Sequence, residues 1–190
     1  MVQPRHIEQV MHKVFVVGQE REVIATGLPA SPGAATGRIY FTSEAAVAGA
    51  KEGPAILVRV ETSPEDIAGM AAAQGILTSR GGMTSHAAVV ARQMGTCCVS
   101  GCGDATVDEH VGVLMIDGRA YTEGDWISLD GSRGEVMAGQ MELSDPDLSD
   151  PDFIGFMNMA DGFRTLGVRT NADQPVDVQR AREFGAEGVG

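Results

Sequence analysis

An α/β fold, with a partly parallel sheet and hairpins added toward its C-terminal end, is predicted for this chain by three features. Short apolar β-like runs, AILVRV and GILT among them, alternate with segments of helical spacing. Helix start and stop signals stand between those runs. Later β-like runs are separated by the hairpin turns DG, EGD and DGSRG.

Taken in order, residues 1–22 read as a helical lead-in or linker, with apolar Ile7, Val10 and Val14 at helical spacing before Gly18. Residues 23–139 form the main domain. It opens with the turn-rich LPASPGAATG, the strand RIYF, a short Ala-rich helix SEAAVAGAKEG ended by Gly, and the strand AILVRV. ETSPEDIAGMAAA then starts a helix, with Ser63 as N-cap, Pro64 at the first helical position and Asp66 at the third. GILT is a buried strand and SRGG a glycine turn. MTSHAAVVARQMG is a helix with Thr84 or Ser85 as cap, Ala88, Val89 and Ala91 on one face, and Gly95 as terminator. CCVSG, VLMID and ISL complete the strands.

Residues 140–162 include MELSDPDLSDPDF, an acidic stretch with two Asp-Pro pairs, expected to be an extended, mobile linker at a domain boundary. In residues 163–190, LGVRTNAD, PVDVQRAREFG and AEGVG spell one βαβ unit. A lone βαβ cannot cover both faces of a parallel sheet, so this segment is expected to begin a larger barrel or sheet, and the chain to be part of something longer.

Bulk properties narrow the class. With 43% hydrophobic and 21% charged residues, and no apolar run near the roughly 20 residues of a membrane span, the expectation is a soluble, cytoplasmic protein with no membrane partner. The segment MVQPRHIEQV has no apolar middle of a secretory signal. A formal charge of -12 with scattered basic residues leaves no footprint for nucleic acid. Cys97, Cys98 and Cys102 match no common zinc spacing and are expected to be small buried core residues.

Gly81-Gly82-Met83-Thr84-Ser85-His86 places an imidazole in the first turn of a helix, directly after a flexible glycine pair. First-turn N–H groups have no intrahelical partner and the helix dipole is positive there, which stabilises an anion carried on the ring. Neutral imidazole is a nucleophile that attacks phosphorus in line and divides one transfer into two steps. Gly81 and Gly82 allow close backbone approach, the hydroxyls of Thr84 and Ser85 can donate to phosphoryl oxygens or cap the helix, and Arg80 and Arg92 can neutralise charge. By residue type alone the plainer readings stand beside these: a surface His, a capping Thr84, a salt-bridging Arg92. Ser85 and His86 diverge by about 100° on a helix, and without a G-x-S-x-G elbow they do not make a hydrolase pair. His6, His12 and His110 lie in lead-in and turn positions and suggest no metal site.

The segment GGMTSHAAVVARQMGTCCVSGCG resembles the phosphohistidine signature of the pyruvate, phosphate dikinase family. GLPASPGAATGRIYF, LVRVETSPEDIAGM and EGDWISLDGSRGEV resemble it too, and the likeness resumes at Leu166. It implies a swivelling β/β/α phosphohistidine domain followed by the start of a (β/α)8 barrel. By this resemblance His86 relays a phosphoryl group between an ATP/phosphate site and a pyruvate/phosphoenolpyruvate site, both in partner domains acting in cis or trans. It also implies Mg2+ in the full enzyme but not on this segment, pyruvate or phosphoenolpyruvate contact by Arg169, and regulatory phosphorylation at Thr84 as in plant members. Complete turnover is not expected of this polypeptide alone. The alternatives are a non-catalytic docking or regulatory module of the same fold, and the carrier domain of a phosphoenolpyruvate synthase-like enzyme.

Overall fold

The computed structural model describes residues 7, 11–147, 150–172, 174–183 and 185–190. The chain divides into two compact units, Met1–Asp147 and Leu148–Gly190. The first begins with strands β1 (Val14–Phe15), β2 (Val23–Thr26), β3 (Leu28–Ser31) and β4 (Ala34–Tyr40), then helix α1 (Ser43–Gly49) and β5 (Ala55–Arg59). A single 3-10 turn, Pro64–Asp66, runs into α2 (Ile67–Ala72), followed by β6 (Gly75–Thr78), α3 (His86–Met94) and β7 (Cys97–Ser100). Strands β8 (Ala105–Asp108), β9 (Val113–Ile116), β10 (Arg119–Thr122), β11 (Trp126–Asp130), β12 (Glu135–Ala138) and β13 (Leu143–Ser144) complete it.

Eight strands form one sheet in the order β2-β12-β11-β4-β5-β6-β7-β3. β4 through β7 run parallel, linked in turn by α1, α2 and α3, and the flanking strands are antiparallel. This is the mixed α/β arrangement expected. The inner strands are almost wholly buried, as parallel strands covered on both faces must be. Alternation along them sends Leu57, Ile76 and Cys98 toward Met70, Ala87, Ala88 and Ala91 of the helices. Ile56, Val58, Leu77, Cys97 and Val99 go to the opposite face and meet Leu114 and Ile116 of β9. Each such aliphatic side chain contributes about 1.5–3 kcal/mol on burial. The cysteines are free and buried, Cys97 and Cys98 on opposite faces, in agreement with the core role expected.

Most of the short signals read from the sequence form as expected. Ser63 and Asp66 make a reciprocal capping box with Pro64 in the first turn. Asp117 (φ 48) and Gly118 (φ 73) both take the left-handed conformation in the two-residue turn joining β9 to β10. Asp130 Oδ1 accepts the N–H groups of Ser132 and Arg133 in the turn joining β11 to β12.

Five expectations need correction. EGD does not close a hairpin: β10 pairs with β9 in a three-stranded sheet, while β11 pairs with β4 and β12 in the eight-stranded one. On α3 it is Ala87, not Val89, that shares the buried face with Ala88 and Ala91, and Val89 is exposed. LPASPGAATG is not a turn throughout: Leu28–Ser31 pairs with β7 at the sheet edge and β4 begins at Ala34, so the turn is confined to the residues around Pro32 and Gly33 (φ 108). In the lead-in, Val10 and His6 lie outside the described residues. Val14 belongs to a strand rather than a helix, because β1 pairs with β13 while Phe15 buries against Met137 and Met141. The acidic stretch is not an extended linker along its length: Met141 is buried, β13 is paired, and Pro151–Asp161 is a helix, α4. There the second Asp-Pro pair acts as a helix start, Asp150 Oδ1 accepting from the N–H groups of Asp152 and Phe153 with Pro151 at the first position.

In the second unit, β14 (Arg169–Thr170), α5 (Pro175–Glu183) and β15 (Gly188–Val189) follow α4. The two strands pair in parallel, the local βαβ arrangement read from the sequence. Arg164 bridges Asp161 and Glu187, which holds the Glu187 carboxyl below its usual range.

Candidate functional site

The three parallel strands β5, β6 and β7 end side by side, at Arg59, Thr78 and Ser100. Chemistry in open α/β sheets collects outside such carboxyl ends. The loop leaving β6 carries Arg80, Gly81, Gly82, Met83, Thr84 and Ser85, and α3 starts with His86. Of the two hydroxyl residues expected to cap this helix, Ser85 does so. Its Oγ accepts from Ala88 N–H at 3.3 Å and its carbonyl from Val89 N–H at 3.0 Å. Thr84 is exposed.

Behind the cap lies a hydroxyl network. Ser85 Oγ is 3.3 Å from Ser100 Oγ, which accepts from Thr78 Oγ1 at 3.1 Å. Thr78 Oγ1 in turn accepts from Gly101 N–H at 3.4 Å. Thr78 and Ser100 are fully buried, so these bonds replace water that the groups have lost. The helix start is thereby tied to the ends of two core strands.

His86 is half-buried, and its Nδ1 lies 2.9 Å from Thr62 Oγ1. Among the described residues no hydrogen bond engages Nε2. Thr62 sits in the loop after β5 and was not singled out in the sequence, where ETSP reads as a helix start. A signal existed nonetheless: a hydroxyl residue at the carboxyl end of the strand adjoining the one that feeds the histidine loop.

The glycine pair splits in role. Gly81 takes φ 112, and a Cβ there would stand 3.0 Å from Ser85 Cβ and Oγ and 3.1 Å from Ser100 Oγ. Gly82 has open space, with nothing within 4 Å of the position a Cβ would take. Arg92, expected to face phosphate, instead spends its guanidinium on the backbone: Nη1 donates to Ala30 O and Nη2 to Met83 O, both at 2.8 Å. It clasps the histidine loop to β3. Arg80 is exposed, its backbone N–H donating to Val60 O at 3.0 Å.

Arg169 is exposed on β14 in the second unit. His12 and His110 stand apart from this network. Among the described residues no group of three or more His, Cys, Asp or Glu is arranged to hold a metal ion. No helix among them is long and apolar enough to cross a membrane.

His86, its loop, Thr62 and the hydroxyl network fall within residues 51–134, which match the family described as PEP-utilising enzyme, mobile domain. The likeness then sharpens to one kind of enzyme over the whole chain. It is 53% identical over 193 residues to pyruvate, phosphate dikinase 1, chloroplastic, of Arabidopsis thaliana, an alignment covering 100% of this chain and 20% of that protein. Identity is 52% over 192 residues to pyruvate, phosphate dikinase of Clostridium symbiosum, covering 100% and 22%. Against pyruvate, phosphate dikinase 1, chloroplastic, of Oryza sativa it is 54% over 193 residues, covering 100% and 20%. The resemblance read from GGMTSHAAVVARQMG thus extends over all of the chain. The chain spans about a fifth of the length of the curated relatives it matches.

Proposed function

We propose that this chain is the phosphoryl-carrier segment of a pyruvate, phosphate dikinase, with Nε2 of His86 as the atom that bears the phosphoryl group. The observation that carries the reading is the 2.9 Å contact between Thr62 Oγ1 and Nδ1 of a half-buried His86 at the first position of a helix. With its proton on Nδ1, the ring donates to Thr62 Oγ1 and keeps the Nε2 lone pair free for attack.

The lone pair attacks the phosphorus of phosphoenolpyruvate in line, the P–O bond breaks, and its electrons leave with the enolate of pyruvate. The ring becomes an imidazolium bearing PO3 on Nε2, its Nδ1 proton still held by Thr62. The positive end of the α3 dipole favours the added negative charge, and the Ser85–Ser100–Thr78 network ties that helix start to the core strands while it arrives. Gly82 leaves the approach unobstructed by side chain, and Arg80 and Thr84, both exposed, are free to meet the donor's phosphate.

Transfer onward requires an ATP/phosphate site and a pyruvate/phosphoenolpyruvate barrel in other parts of the enzyme. Arg169 belongs to the opening of the latter, and Mg2+ acts there rather than on this segment. The exposed Thr84, two residues from His86, is accessible to a regulatory kinase. The first unit's one compact fold around an eight-stranded sheet suits it to reorient as one body between the two sites.

The test is incubation with phosphoenolpyruvate and a complete barrel from a relative, followed by mass spectrometry. A phosphate on His86, lost in mild acid, kept in base and absent from His86→Ala, is the expected result. An acid-stable phosphate, or label that persists in His86→Ala, overturns the assignment.

A further inference from the structure

The residue on which the proposed chemistry turns, after His86 itself, is Thr62, and its loop is pinned on both sides of it. Upstream, Val60 N–H donates to Glu109 Oε1 at 2.7 Å and Val60 O accepts from Arg80 N–H at 3.0 Å. Downstream, Ser63 N–H donates to Asp66 Oδ2 at 2.8 Å and Ser63 Oγ to the same oxygen at 3.3 Å. The two carboxylates are joined by one guanidinium. Arg59 Nε lies 3.3 Å from Glu109 Oε1 and 3.7 Å from Asp66 Oδ1, while Nη1 donates to Phe41 O at 3.0 Å.

The Arg59 Nε–H sits between the acceptors, ion-paired with both yet aligned for a hydrogen bond to neither. Asp66 is 3% exposed, so its charge depends on this partner and on Ser63. Glu109 arrives from the turn between β8 and β9, outside every segment that carries the histidine site. Its one carboxylate oxygen binds both the backbone two residues before Thr62 and the guanidinium that leads to the residue after it.

From this geometry we infer that Glu109, acting with Arg59, is a positioning residue for phosphoryl transfer. It holds the Thr62 loop so that Oγ1 meets His86 Nδ1 and fixes the ring tautomer that leaves Nε2 unprotonated. The inference rests on the reading that His86 is the phosphoryl acceptor. Removing Glu109 frees Val60 N–H and leaves Arg59 to collapse on Asp66, letting Thr62 drift from the ring. A shift of under an ångström is enough to lose a 2.9 Å hydrogen bond.

The experiment compares the full 190-residue chain with Thr62→Val, Glu109→Ala, Glu109→Gln and the Thr62→Val/Glu109→Ala double variant. Two readings are taken: the 15N shifts of the His86 ring without any donor, and the rate of His86 phosphorylation by phosphoenolpyruvate with a relative's barrel supplied in trans. Expected in Glu109→Ala are a shift toward mixed tautomers at His86 and about a five-fold slower rate, matching Thr62→Val, for the loss of one hydrogen bond. The double variant should lose no more than either single one. Glu109→Gln keeps an acceptor for Val60 N–H and should recover the tautomer in part, a rescue that a generally loosened fold would not give.

Additive losses in the double variant, or an unaltered His86 tautomer in Glu109→Ala, overturn the inference. If the wild-type chain is never phosphorylated on His86, the proposed function fails. The donor-free 15N reading still decides whether Glu109 governs the ring.

Discussion

The glycine pair before His86 invites a differential test, because the two residues have opposite reasons to be glycine. Gly81→Ala forces an L residue into φ 112 and drives a methyl to 3.0 Å from the capping Ser85 and 3.1 Å from Ser100 Oγ. Backbone strain of this kind costs about 1–3 kcal/mol, and displacing the cap adds about 1 kcal/mol. The sum, about 2–4 kcal/mol, corresponds to a fall in Tm of about 4–16 °C for a chain of this size. Gly82→Ala meets nothing within 4 Å and takes no strained φ. It should hold or raise stability by about 0.4–1 kcal/mol, through the smaller entropy of the unfolded chain. Its cost falls on function, since the new methyl stands where a phosphoryl donor must come close. Calorimetry of both variants beside the His86 phosphorylation rate makes the comparison. Equal melting temperatures, or a Gly82→Ala chain that is unstable, would refute the division of roles.

Three further outcomes are expected. Arg92→Ala removes two hydrogen bonds that hold Met83 and Ala30, and hydrogen exchange across residues 80–85 should quicken while the sheet stays protected. Thr78→Val strips a fully buried donor from Ser100 and an acceptor from Gly101; a loss of about 1–3 kcal/mol in urea denaturation is predicted. Burial pushes the Cys98 thiol from an ordinary 9.0 up to about 12, and Cys102 up to about 11. The folded chain therefore keeps protons that the unfolded chain releases above pH 9.0, so stability is undiminished below that pH and falls as pH rises from there toward 12. A urea midpoint that stays level between pH 8 and 10.5, and matches that of a Cys98→Ala chain, would contradict this.

Local physics made much of this protein legible in its residues. The capping box of Ser63 and Asp66, the buried runs at Ala55–Val58 and Gly75–Thr78, the Asp117-Gly118 hairpin and the helix opened by Ser85 each depend on neighbours within a few positions. The prominence of His86 came from the same kind of evidence, an imidazole at a helix start after glycine. Where the reading failed, a distant partner had overridden the local signal. LPAS became a strand because β7 lies beside it, and Val14–Phe15 because Leu143–Ser144 does.

What the amino-acid order determined by itself was the inner strands and helices around the histidine, the carrier-like loop and the resemblance that runs along it. Only the tertiary structure decided how the ring is held, since Thr62 reaches His86 across 24 positions and Glu109 reaches Val60 across 49. Hydrogen bonds of that span are products of strand order. Parallel pairing of β5 with β6 brings the two loops to one edge, and no periodicity within either loop encodes the meeting.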